Sequence, residues 1–131
     1  CSNGNNSFAI EFLNEFEELK KDYITLIRLL NNFEIKNWQE FSLVLKDKKK
    51  FKILLKLLLI LLTDAANNKK VPPLYNFISE EVKKIFSLGI ERINKAVELI
   101  NKTNDNLNKN IHLPLLLTTF YLEIYNVLNE N

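Results

Sequence analysis

The sequence contains little glycine, proline, cysteine and histidine, and no methionine. Its 131 residues include two Gly, three Pro, one Cys and one His. Such a shortage of turn-forming residues disfavours a β-sandwich or barrel and favours long, uninterrupted helices. A single cysteine excludes an internal disulfide, and one Cys with one His cannot supply the ligands of a structural zinc site. The fold must therefore be stabilised by apolar packing.

Leucine, asparagine, lysine and isoleucine dominate the composition, with 24, 19, 16 and 13 residues. These residue types are typical of a low-GC genome. Hydrophobic residues make up 47% of the chain, which is long enough for one domain around one core. The formal net charge of +2 is small and only two of the basic residues are arginines, so the composition argues against nucleic acid as a partner.

The region from Phe8 to about Asn31 has the strongest helical periodicity in the sequence. Its apolar residues recur mostly at gaps of three and four, which places them on one stripe of a helix. The stripe consists of Ala9, Phe12, Leu13, Phe16, Leu19, Tyr23, Leu26, Ile27 and Leu30. Residues 1–7, which are polar and small, are predicted to form a flexible tether before this helix.

Two further helices are predicted over residues 37–45 and 47–66, with Asn37 and Asp47 as their N-caps. A polar run at residues 46–50 separates them. Because such a run does not by itself break a helix, one long helix over residues 38–66 is the alternative. Residues 53–62 are apolar nearly all round, which predicts a buried helix. The most apolar stretch, residues 51–62, has two lysines among its 12 residues and is too short and too polar to span a membrane.

The second half of the sequence predicts two long helices after a loop at Pro72 and Pro73. One runs from its predicted N-cap, Ser79, to about residue 102. It includes Gly89, which we interpret as a point of close helix packing. Asparagine-rich residues 103–110 predict a turn. The last helix covers about residues 112–129 and has Pro114 in its first turn. The predicted fold is all-α, with residues 8–131 forming a single compact bundle of about five helices.

The sequence provides no recognisable catalytic or metal site. Nothing places a partner beside His112, which is better explained as an ordinary histidine at or near the surface. Glu11, Glu15 and Glu18 have the helical spacing of solvated surface charges. With two glycines in the chain, there is no phosphate-binding loop. We therefore predict a protein that is not an enzyme and that uses no cofactor and no metal ion.

The strongest charge feature is a lysine cluster around the start of the third predicted helix. The cluster consists of Lys46, Lys48, Lys49, Lys50, Lys52 and Lys56. With Asp47 it gives a local formal charge of +5. Lys49, Lys52 and Lys56 share one helical face, which favours an acidic protein, a sulfated glycan or anionic lipid head groups as a partner. The alternative is a solvated rim that keeps an apolar helix soluble.

The last helix is more hydrophobic than one core contact requires. Its body, residues 115–128, has a single charged residue, Glu123. A bundle of this size can fully surround one helix but rarely two. Either this helix is central as well, or it presents an apolar face to a second copy of the chain or to a ligand.

The chain begins with Cys1 and the polar segment Ser2 to Ser7, and its body is helical and rich in Lys, Asn, Ile and Leu. In these features it resembles the mature surface lipoproteins of Borrelia spirochaetes. The resemblance implies triacylation of Cys1, anchoring in the bacterial outer membrane and display toward the host. Some members of such families bind complement regulators, plasminogen, matrix proteins or glycosaminoglycans. The alternatives are a numbering that merely starts at a cysteine, and a helical domain of an AT-rich parasite such as Plasmodium.

Together these features predict a non-enzymatic, lipid-anchored surface protein. Cys1 attaches it to the membrane, and the lysine cluster provides a binding surface for a host macromolecule: a serum or complement protein, a matrix protein or a glycosaminoglycan. One alternative is a structural lipoprotein that forms a homodimer through its apolar last helix. Another is a carrier that holds a small ligand between its hydrophobic helices.

Overall fold

The computed structural model describes residues 17, 19–44, 47–68, 70–109 and 112–129. Helix α1 includes residues 19–31. Five further α-helices follow: α2 (Ile35–Val44), α3 (Lys48–Asn67), α4 (Ser79–Phe86), α5 (Ile90–Leu107) and α6 (Leu113–Asn129). A 3₁₀ turn over Pro73–Ile78 precedes α4. Since the described ranges contain helices, turns and no strand, the all-α prediction is confirmed. The predicted tether, residues 1–7, lies outside the described residues.

The described residues form six α-helices rather than about five, because the helix predicted from Ser79 to about residue 102 is divided. The N–H of Ser87 donates to the carbonyls of Lys83 and Lys84 at 3.1 and 3.2 Å and ends α4. Gly89 then has an extended backbone (φ −71°, ψ 158°) and is the N-cap of α5. The low helix propensity of glycine favours a boundary here. No neighbouring atom lies within 4 Å of where a Cβ would stand at Gly89, so the predicted close packing is wrong.

Helices α2 and α3 are separate, so the alternative of one long helix is wrong. Asp47 has an extended backbone (φ −88°, ψ 110°), and its carboxylate accepts a hydrogen bond from the Lys49 N–H at 2.9 Å. The N-cap predicted at Asp47 is thereby confirmed. The N-caps predicted at Asn37 and Ser79 are wrong, because α2 already begins at Ile35 and Ser79 has a helical backbone (φ −56°, ψ −38°).

The buried apolar residues form one core with α3 at its centre. The buried α3 residues are Phe51, Leu54, Leu55, Leu57, Leu58, Leu61, Leu62 and Ala65. Helix α3 packs against α4 and α5, and α5 also packs against α6. Helix α6 is less enclosed, with Leu115 and Leu122 63% and 56% exposed. Of the two most hydrophobic helices, α3 therefore fills the core, whereas α6 also presents an apolar outer face.

The carboxyl end of α1 is closed by side chains of α6. The Tyr121 hydroxyl donates to the Leu29 carbonyl at 2.8 Å, and the Asn129 amide donates to the Leu30 carbonyl at 2.6 Å. Carbonyls in the last turn of a helix have no partner within that helix, so both contacts satisfy groups that would otherwise lack a donor. The Tyr121 ring also packs on Trp38, with the ring centroids 4.8 Å apart. The end of α1 is thus fixed against α6.

A second polar contact joins α3 to the 3₁₀ turn. The Tyr75 hydroxyl donates to the carboxylate of Asp64. Burial is the larger cause of the raised pKa of Tyr23 in α1, and the nearby negative charge of Asp64 raises this pKa further. Burial is also the main cause of the raised pKa of Tyr75, and its hydrogen bond to Asp64 adds to it. Both phenols are therefore held in the neutral form by the fold.

Candidate binding groove between α3 and α5

The lysine-rich side of α3 meets α5 at an open groove of about 250 Å³. We call it the α3–α5 groove. Its lining residues are Lys52, Leu55, Lys56, Leu59, Ile100, Asn101 and Asn104. Leu55 and Ile100 are buried and Leu59 is half-buried, so the floor is apolar. The polar rim consists of two ammonium groups and two amides.

Helical spacing aligns the two polar residues that each helix contributes to the rim. Lys52 and Lys56 are four residues apart in α3, and Asn101 and Asn104 are three apart in α5, so each pair occupies one helical face. The asparagine pair is not part of the predicted site, and Asn104 lies within residues 103–110, for which the sequence predicts a turn. Helix α5 instead continues to Leu107. The signal in the sequence is the helical spacing of these asparagines.

Helix α5 holds Lys52 in place. The Lys52 Nζ donates to Oδ1 of Asn108 at 2.9 Å, and Asn108 is the C-cap of α5. The side chain is half-buried, so its aliphatic part covers apolar surface while the ammonium stays at the rim. Because this partner is a neutral amide, the contact positions the ammonium without neutralising its charge.

The structure divides the predicted lysine cluster. Lys46 lies outside the described residues. Lys48 and Lys49 are exposed in the first turn of α3. Of the described members, Lys52 and Lys56 line the α3–α5 groove. The part of the cluster that combines positive charge with a concave surface is therefore this pair.

Lys50 is set apart from the groove and acts on Asp22 of α1. Burial raises the pKa of the Asp22 carboxyl, and the positive charges of Lys50 and Lys21 oppose this rise. Lys50 is half-buried. Its charge is partly offset within the bundle, so we assign it to the contact between α1 and α3 and not to the groove.

The chemistry of the groove suits binding. None of its lining residues carries a carboxylate, an imidazole, a hydroxyl or a thiol, the groups most often used as acid, base or nucleophile. The ammonium groups attract anions, the amides can exchange hydrogen bonds with hydroxyl groups, and the floor can pack on a carbon framework. The described residues include no group of three or more His, Cys, Asp or Glu side chains placed to hold a metal ion.

A further space lies inside the bundle, between α1, α2, α3 and α6. Its volume is about 10 Å³, which is about enough for one water molecule. It is lined by Leu26, Phe41, Phe51, Leu54, Leu55, Leu117, Phe120 and Tyr121. This space is too small for an organic ligand of the kind that a carrier would hold.

No protein-family model, curated protein sequence or solved structure matches this chain. None of the described helices is both long and apolar enough to cross a membrane.

Proposed function

We propose that this protein is a non-enzymatic surface module whose α3–α5 groove binds an acidic host macromolecule, specifically a sulfated glycosaminoglycan. The observation that carries the proposal is the position of Lys52 and Lys56 beside Asn101 and Asn104 above an apolar floor. A sulfated polysaccharide offers a partner to each of these groups. Its sulfates and carboxylates match the lysines, its hydroxyls match the amides, and the C–H faces of its sugar rings match the floor.

Positive charge continues beyond the groove along α3. Lys48 and Lys49 are exposed about one turn before Lys52. A linear polyanion in the groove can extend past these lysines and gain further electrostatic attraction. Binding of this kind weakens as the salt concentration rises.

Replacing both groove lysines, in the variant Lys52→Gln/Lys56→Gln, is expected to weaken the binding of a heparin oligosaccharide about tenfold to thirtyfold, since an exposed ion pair contributes up to about 1 kcal/mol. Titration calorimetry at moderate salt measures the Kd. The matched control is Lys36→Gln/Lys70→Gln, which removes the same charge from two exposed lysines outside the groove. It is expected to change the affinity less than about threefold.

The variant Asn101→Ala/Asn104→Ala leaves the charge unchanged and tests recognition by the groove itself. A loss of affinity of about threefold to tenfold is expected, because the amide contacts are neutral hydrogen bonds. Equal losses in the groove and control lysine variants, with no effect of the asparagine variant, would show nonspecific attraction and contradict the proposal. Tighter binding of an acidic peptide than of the oligosaccharide would also contradict it.

The proposal includes attachment to a bacterial outer membrane through Cys1. This part rests on the resemblance to Borrelia surface lipoproteins, and Cys1 lies outside the described residues. Mass spectrometry of protein from its native source is expected to show a triacylated Cys1. The variant Cys1→Ala has no site for these acyl chains and is expected to leave the membrane fraction, because stable anchoring requires more than one acyl chain. An unmodified Cys1 would contradict the membrane attachment without affecting the test of glycan binding.

A further inference from the structure

The outer face of α5 carries charges of alternating sign. The exposed charged residues of α5 follow each other at intervals of four, three, four and three residues. They are Glu91, Lys95, Glu98, Lys102 and Asp105. Among the described residues, none of these side chains has an ion-pair or hydrogen-bond partner. Even Glu98 and Lys102, whose spacing allows an ion pair within one helix, do not form one.

This charge pattern is complementary to itself in one orientation. Lys95 and Asp105 lie five residues on either side of Ile100, and Glu98 and Lys102 lie two residues on either side, with opposite charges in each pair. In two antiparallel copies of α5 related by a two-fold axis at Ile100, each of these residues faces one of opposite charge. A parallel arrangement would place each charge opposite itself, and the copies would repel.

Apolar surface lies beside these charges. An open groove of about 490 Å³ lies along the junction of α5 and α6, and in it residues 95–102 stand beside residues 123–127. Its apolar lining residues are Leu99 and Val127, which are half-buried, and its other lining residues are charged or polar. Leu122 of α6 is 56% exposed. Since residues 95–102 of α5 stand beside residues 123–127 of α6, Leu122 lies near the level of Ile100 along the helices. An axis at Ile100, perpendicular to the helices, brings Leu122 of one copy to Leu122 of the partner subunit.

We propose that the α5–α6 face is the interface of a homodimer in which two copies of this chain pack antiparallel. Leu122, Leu99 and Val127 supply the apolar contact, and the alternating charges of α5 select the register and the antiparallel direction. Asn101 and Asn104 of the α3–α5 groove lie on the other flank of α5, so the glycan-binding groove stays open. A dimer then presents two such grooves to one polyanion, which raises its apparent affinity.

Sedimentation velocity of the full 131-residue chain, with two charge reversals, tests this interface. Glu98→Lys leaves positive charge at both central positions, and Lys102→Glu leaves negative charge at both. Each variant alone is expected to dimerise at least about tenfold more weakly than the original chain, because like charges then face each other across the axis. An equimolar mixture of the two variants is expected to form a heterodimer with nearly the original affinity.

The mixture separates an interface from a role within one helix, since mixing two chains cannot restore an ion pair inside either of them. The control reversal Glu40→Lys, at an exposed position of α2, is expected to leave dimerisation unchanged. Circular dichroism checks that every variant keeps its helical content. A chain that stays monomeric at all accessible concentrations would overturn the proposal. So would reversal variants that dimerise like the original chain, or a mixture that forms no heterodimer.

Discussion

Replacing Tyr121 by alanine is expected to lower the free energy of unfolding by about 3–5 kcal/mol. Tyr121 is 3% exposed, and its ring packs on Trp38 and Tyr125 at centroid distances of 4.8 and 5.8 Å. Truncation removes the ring where α6 meets α2 and the end of α1, and it deprives the Leu29 carbonyl of its donor. Chemical denaturation followed by circular dichroism measures the change.

Two further variants show where this effect comes from. Tyr121→Phe keeps the ring and removes only the hydroxyl, so the expected loss is about 1–2 kcal/mol, the cost of an unsatisfied carbonyl. Ile35→Ala truncates a side chain of α2 that is 66% exposed, and a change below about 0.5 kcal/mol is expected at such a site. If Tyr121→Ala proved no more destabilising than Ile35→Ala, the packing of Tyr121 described above would be wrong.

Alkaline pH is expected to destabilise the fold steeply, because it contains buried tyrosines. Burial, with a smaller contribution from Tyr125, raises the pKa of Tyr121 from 10.0 to about 12, and the pKa values of Tyr23 and Tyr75 are raised as well. The folded state therefore favours the protonated phenol. The stabilisation is complete below the unfolded pKa of about 10 and is lost as the pH rises through the folded pKa. For Tyr121 alone, the loss at pH about 12 amounts to about 2 kcal/mol.

Urea denaturation at a series of pH values measures this loss, and phenolate absorbance recorded in parallel follows the tyrosines directly. The Tyr121→Phe variant is less stable at neutral pH, but its stability is expected to fall less steeply between pH about 10 and about 12. Constant stability of the original chain up to pH about 12 would contradict the expected pH dependence. Complete ionisation of all tyrosines near pH 10, in a protein that is still folded, would contradict it as well.

Local signals in the sequence account for much of the fold. Asp47 predicted the start of α3 correctly because an N-cap depends on its own side chain and on the next few backbone N–H groups. Pro114 lies in the first turn of α6, as predicted. The division between α4 and α5 was missed because apolar residues continue on both sides of it, from Val82, Ile85 and Phe86 to Ile93. A stripe of apolar residues does not reveal a short break in the helix. Gly89, the N-cap of α5, marks the position of this break.

The groove was predicted only in part, because it is made by two helices that are distant in the sequence. Lys52 and Lys56 follow from spacing within α3, whereas Asn101 and Asn104 join them through the packing of α3 against α5. Local periodicity does not specify which helices are neighbours. Lys50 was grouped with the cluster by proximity in sequence, but each helical residue is turned by about 100° from the previous one. Neighbours in a lysine run therefore point to different sides of a helix.

The closure of α1 by α6 has a consequence for biosynthesis. The hydrogen bonds of Tyr121 and Asn129 to the end of α1 join residues 92 and 99 positions apart in the sequence. Neither bond can form until α6 has left the ribosome, and until then the Leu29 and Leu30 carbonyls lack these donors. Contacts of such long separation are slow to form, because the entropy of closing a long loop opposes them. Nascent chains that lack α6 are consequently expected to stay open and to depend on chaperones until translation has passed Asn129.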